Sequence, residues 1–183
     1  MGYTTYFKGG LTPNKPLDDD LKNYINHFCN IRHMKRDVDL IKKLDPEWEK
    51  HCYNGSLGSE GQYYLPLDKY IENDVKKSVF DEVDKEGYIK NFMGQVHDLS
   101  VVGYNIPADG VPGLWCSWTI NEYNEIVWNG AEKFYSYIEW LKYLFEHFLT
   151  PNGILYSGNI KWIGESSDDE GTIIVKDNEI TIK

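Results

Sequence analysis

Arginine is scarce in this chain: of 183 residues only Arg32 and Arg36 carry a guanidinium. Cysteine is scarce too, with Cys29, Cys52 and Cys116 odd in number and without a C-x-x-C pair. That pattern excludes a closed disulfide framework and fits reduced thiols in a cytosol. No apolar run approaches the roughly eighteen residues that a membrane span needs, and no leader pattern opens the chain. A soluble, cytoplasmic protein with no membrane partner is therefore expected. The glycines near 55–61 do not spell a phosphate-binding loop, and Ser117 and Ser157 lack a nucleophile-elbow context. Positive charge is in short supply overall. A net charge of −10 would repel a phosphate polyanion, so no nucleic-acid partner is expected.

Aromatic residues are abundant, at 15 % with 6 Trp and 14 Tyr, and they concentrate from Gly113 to Trp162. Within that stretch Phe134, Tyr137, Ile138, Leu141, Leu144, Phe145 and Phe148 recur at three- and four-residue steps. The spacing predicts a helix over Ala131–Leu149 with one apolar face, starting near Asn129 and Glu132 and stopped by Pro151 and Gly153. Its flanks alternate as strands. Leu114–Ile120 with Glu125–Trp128 predicts one hairpin. Leu155–Gly164 with Thr172–Lys176 predicts a second, followed by a last strand at Glu179–Ile182.

Earlier in the chain, Gly2–Lys8 reads as a strand and Asp18–Asp20 as the acidic start of a helix that continues, or breaks around Asn30 and resumes, through Leu44. Asp45-Pro46-Glu47-Trp48 predicts a short helix, and Gln62–Leu65 a short strand. From Pro66 to Lys90 the composition turns charged. Ile71, Val75, Val79 and Val83 there give only a narrow apolar stripe, so a peripheral excursion at about 66–90 is expected. Asn91–Pro112 reads as a long loop. Together these predict a single α+β domain over 1–183, an antiparallel sheet with helices packed on one face.

Catalytic and metal chemistry find little support. His27 with Cys29, or His51 with Cys52, do not converge on one helix face, and no second pair has finger or ribbon spacing. Cys116 alternates with Trp115 and Ser117 in a strand, where a buried inert thiol is the default. The carboxylates at Glu165–Glu170 sit on a hairpin tip, where solvent keeps them unperturbed. A non-enzymatic chain without cofactor or metal is expected.

Two binding readings remain. In the first, Arg32 and Arg36 share a helix face with Lys35 beside them and grip the phosphates of a small anionic ligand, against which Tyr104, Trp115 and Trp118 stack. In the second, the acidic stretches Asp18–Asp20, Glu72–Glu86 and Glu165–Glu170 block a cationic site on a host protein. A solvated face that pairs the arginines with Asp37 or Asp39 is the plain alternative. Assembly into a homo-oligomer is compatible with either reading.

Several segments occur in a fixed order: MGYTTYF at the start, RHMKRD at 32–37, FMGQ at 92–95 and YNIPADGVPGLWCSW at 104–118. WNGAEKFYSYIEWLKYL at 128–144 and NGILYSGNIKWIGESSDDEGTIIVKDN follow them. In these the chain resembles a family of small phage and bacterial cytosolic proteins with no activity attached. The likeness covers most of the chain, and 66–90 departs from it by being longer. It implies a phage or mobile-element setting. There a ligand-binding protein would act against host defence by depleting a nucleotide-derived immune signal.

Overall fold

The computed structural model describes residues 2–66, 99–166 and 168–183. In chain order the elements are β1 (Tyr6–Pro13), α1 (Asp19–Asn30), β2 (Met34–Arg36), α2 (Val38–Leu44), β3 (Val101–Pro107), β4 (Trp118–Ile120) and β5 (Ile126–Trp128). They continue with α3 (Tyr137–Leu144), β6 (Tyr156–Ile163), β7 (Glu170–Lys176) and β8 (Glu179–Ile182). The fold is α+β. It divides into two compact units, one of Met1–Ile31 with Trp115–Lys183 and one of Arg32–Leu114.

The first unit is built on a six-stranded antiparallel sheet in the order β4-β5-β1-β6-β7-β8. Alternation along β1 turns Phe7 and Leu11 inward and leaves Tyr6, Lys8 and Thr12 exposed. Likewise β6 buries Tyr156 and Ile160 and exposes Asn159, Lys161 and Ile163. Two glycines let β1 and β6 approach closely. A Cβ on Gly9, at φ +110°, would strike the Asn159 carbonyl, and one on Gly158, at φ +147°, would lie 2.6 Å from the Gly10 carbonyl.

One face of this sheet is covered by α1 and α3. Phe28 of α1 stacks on Tyr143 with centroids 5.9 Å apart and meets Trp140 and Phe148 edge-on. Phe7 of β1 meets Tyr137 at 4.8 Å, Trp118 at 5.3 Å and Phe134 at 5.8 Å. Edge-to-face pairs of this kind add roughly 0.5–1.5 kcal/mol each beyond the area they bury. Cys29 and Cys116 also meet in this core, fully buried, with their sulfurs 3.5 Å apart. Burial and the contact with Cys116 push the Cys29 thiol well up.

The central helix starts later than its periodicity predicts. Asn129 Oδ1 does accept the Ala131 N–H at 2.9 Å, but that closes only a turn. Lys133 and Ser136 then take φ +58° and +54°, which no helix accommodates, and α3 begins at Tyr137. It runs on as a π-helical turn, Phe145–Leu149, and a 3-10 turn, Thr150–Asn152, before Gly153 at φ +67° stops it. The wider π turn keeps Trp140, Leu144 and Phe148 in one buried row and Leu141, Phe145 and Leu149 in the next.

The second unit holds the two-stranded β2–β3 ribbon and α2. Among the described residues, one apolar cluster of this unit joins Ile41, Cys52, Leu57 and Tyr64, with Val38 and Trp48 packed against them. Several local expectations change here. The helix does break at Asn30 and a second one does end at Leu44, but the residues between are not helical: β2 intervenes, and α2 starts only at Val38 with the Asp37 side chain accepting the Asp39 and Leu40 N–H groups. The expected loop over 91–112 contains β3, and Gln62–Leu65 forms turns and coil rather than a strand. The short helix after Pro46 is a 3-10 turn, Trp48–His51. The predicted excursion lies almost wholly outside the described residues. No helix among the described residues is long and apolar enough to cross a membrane.

Candidate functional site

The arginines do not share a helix face. Arg32 lies in the coil after α1, and Arg36 ends β2. Each is held inside the second unit. Arg32 Nε donates to the Tyr104 carbonyl at 2.9 Å and its Nη2 to Asn105 Oδ1 at 2.7 Å, which fastens the coil to β3. Arg36 is buried at 6 % exposure. Its Nη1 donates to Ser100 Oγ at 2.8 Å, and its guanidinium carbon sits 5.5 Å from the Tyr64 ring centroid. A guanidinium placed so is part of the packing.

Lys35, between them on β2, is ion-paired with Glu60, whose other oxygen accepts the Asp109 N–H at 2.8 Å. The lysine holds the Glu60 carboxyl below its ordinary range, and the glutamate raises the lysine in turn. Thus Arg32 fastens to Tyr104 of β3 while Lys35 fastens to Glu60. The bonds described here take the arginines to Tyr104, Asn105 and Ser100 rather than to the expected Asp37 or Asp39, and Asp37 caps α2.

The predicted stacking rings part ways. Trp118 is fully buried, packs on Phe7 and Phe134, and donates Nε1–H to the Tyr137 carbonyl at 2.9 Å. It cannot serve as a platform for a ligand. Trp115, in the first unit, keeps 49 % of its surface exposed. Of the acidic stretches, Glu72–Glu86 lies outside the described residues, and in the other two some carboxylates are engaged within the fold. Asp18 caps α1, Glu165 Oε1 accepts the Thr4 N–H at 2.7 Å, and Asp169 accepts from the Tyr3 hydroxyl at 2.6 Å and from Trp162 Nε1 at 3.1 Å. These bonds tie the N-terminal segment to the β6–β7 hairpin and pull the Asp169 carboxyl below its usual range.

A cavity of about 380 Å³ opens in the first unit beside the π turn, lined by Lys142, Phe145, Glu146, Asp177, Asn178 and Ile180 among others. It contains neither an arginine nor a tryptophan. Among the described residues no group of three or more His, Cys, Asp or Glu is placed to hold a metal ion.

The chemistry not yet described lies on the face of the six-stranded sheet opposite α1 and α3, which no described element of the first unit covers. In strand register Lys8 stands directly opposite Lys161, Lys161 opposite Thr172, and Thr172 exchanges both backbone hydrogen bonds with Lys183. Neighbouring strands are about 4.8 Å apart, so the row of three lysines spans roughly 14 Å over β1, β6, β7 and the residue that follows β8. All three are exposed. The ion pairs among the described residues join Lys35 to Glu60, Lys50 to Glu47 and His51 to Asp45, and none reaches this row.

The neighbouring row, Gly10–Asn159–Ile174–Thr181, carries no charge. Carboxylates do occur on the same face, but in other rows: Glu170 opposite Ile163, and Glu179 opposite Lys176. Sequence reasoning missed the lysine row because its members are 8, 161 and 183 in the chain. The only signal was a lysine at alternating strand positions, which acquires meaning once register is known.

Comparison with family models, with curated proteins and with solved structures finds no match to this chain.

Proposed function

We propose that this is a non-enzymatic binding protein that sequesters a small anionic, nucleotide-derived ligand on the open face of its six-stranded sheet. The observation that carries the reading is the register of Lys8, Lys161 and Lys183. Like charges directly opposite one another destabilise a ladder, and in a chain of net charge −10 Lys8 directly faces Lys161 while Lys183 lies in the same row across Thr172. A phosphate-bearing ligand would relieve that repulsion. Lysine, a compact point charge with three donors on a flexible stem, suits a phosphate that approaches an open surface. The arginine site expected from the sequence has lost its support, since Arg32 and Arg36 already serve as fasteners. The protein-inhibitor reading is the alternative; Asp18, Glu165 and Asp169 are engaged within the fold, and Glu72–Glu86 lies outside the described residues. In the phage setting that the resemblance implies, such binding would deplete a host defence signal.

Calorimetry tests this on the full chain with cyclic and linear nucleotides and with pyrophosphate. Binding is expected, and changing Lys8, Lys161 and Lys183 together to Gln should weaken it at least tenfold while circular dichroism shows the fold intact. Affinity should fall steeply with salt, because exposed charges are screened within about 8–10 Å at physiological ionic strength. Absence of any binding, or binding that the triple variant leaves unchanged, overturns the proposal.

A further inference from the structure

We infer, resting on the anion-binding reading above, that the ligand class is a nucleoside polyphosphate. Its base would lie on Tyr6 and its phosphate chain would run along the lysine row. Tyr6 is two residues before Lys8 on β1 and therefore on the same face, roughly 7 Å along the strand. Its ring is 57 % exposed and is braced edge-on by Trp128, with centroids 5.9 Å apart and planes at 90°.

The register partner of Tyr6 on β6 is Ile163, itself 54 % exposed, so the two form an apolar shelf alongside Lys8 and Lys161, bordered on the β7 side by the exposed Glu170. A braced aromatic ring fixes a base without the entropy loss of ordering a free side chain, and its face accepts any base. From the shelf, Lys8 and Lys161 are the first cations a phosphate chain meets. The Thr172 hydroxyl and Lys183 lie further out across β7 and β8. Gly10, on the neighbouring row beside Asn159, is flanked by the Val127 side chain. One cation would satisfy a monophosphate, whereas three in a line match several phosphates in series.

The test titrates the full-length protein with AMP, ADP, ATP, GTP, CTP and UTP, and separately with inorganic tripolyphosphate. Affinity should rise with each added phosphate and vary little among the four triphosphates. Tyr6→Ala should weaken every triphosphate about tenfold or more, in keeping with the strength of base–aromatic stacking, and leave tripolyphosphate unchanged. Tyr6→Phe should keep nucleotide binding, since the ring and not the hydroxyl acts. If tripolyphosphate binds as well as ATP and Tyr6→Ala alters neither, the nucleoside assignment is overturned while anion binding stands. If neither nucleotides nor tripolyphosphate bind, the assignment and the reading beneath it both fall.

Discussion

His51 Nδ1 lies 2.6 Å from Asp45 Oδ2, and the same carboxylate oxygen accepts the Tyr64 hydroxyl at 3.1 Å. Asp45 is only 1 % exposed, and its other oxygen takes the Glu47 N–H at 2.9 Å. Burial alone would raise this carboxyl, but the bonds from His51, Glu47 and Tyr64 outweigh it and leave the group below its ordinary range. A group depressed in the folded state contributes stability that is complete above its unfolded value of about 3.9 and is lost as pH falls through the folded value. Asp45→Asn should therefore destabilise the second unit by about 1–3 kcal/mol at neutral pH. The gap between wild type and variant should close in acid. Denaturant melts at pH 7 and pH 3 check this, and a gap that widens in acid contradicts it.

Arg36 links the same network to the ribbon, since it covers the Tyr64 ring and donates to Ser100. Arg36→Lys keeps the charge but loses the planar surface and the forked donors. The variant should melt earlier and expose the second unit to hydrogen exchange, while the affinity for an anionic ligand stays within twofold of wild type. A selective loss of binding with unchanged stability would return Arg36 to the ligand site.

Leu141 is fully buried in α3. Leu141→Ala removes its contacts and leaves a cavity that the aromatic neighbours cannot collapse into, at a cost of about 2–5 kcal/mol. Chemical denaturation measures it directly, and a change near zero would place the side chain outside the core.

Lys161 sits between Lys8 on one side and Thr172 on the other. Lys161→Thr should raise the melting temperature at low salt, because it removes a like-charge pair, and should weaken nucleotide binding at the same time. High salt should erase the gain in stability. Opposite movement of stability and affinity is the signature of a charge kept for a ligand.

Gly158→Ala should destabilise the protein by about 1–3 kcal/mol, because the residue sits at φ +147° and its new methyl group would press on the Gly10 carbonyl. Thermal melts of this variant beside Gly55→Ala, where a Cβ meets nothing within 4 Å though φ is also positive, separate the clash from the backbone preference.

Where local chemistry decides structure, the sequence was readable. The aromatic helix, both hairpins and the antiparallel α+β class follow from periodicity and turn residues within a few positions of one another. The arginine segment was misread because Arg32 and Arg36 are spaced as a helix would have them, yet β2 is held by pairing Lys35 with Gly103 and Arg36 with Val101. Partners that distant outweigh a weak local preference. The candidate site was illegible for a related reason. Lys8 and Lys161 become neighbours only when β1 and β6 align from Tyr6↔Ile163 to Pro13↔Tyr156, a match between opposite ends of the chain.

The sulfurs of Cys29 and Cys116 touch although the residues are 87 positions apart. The chain departs from the first unit two residues after the one and rejoins it one residue before the other. All of Arg32–Leu114 is thus strung between two points that the core holds side by side. A loop with coincident ends can lengthen, shorten or be exchanged at an entropic cost that grows only with the logarithm of its length. The six-stranded sheet is accordingly free to keep its register while the length of the inserted unit varies.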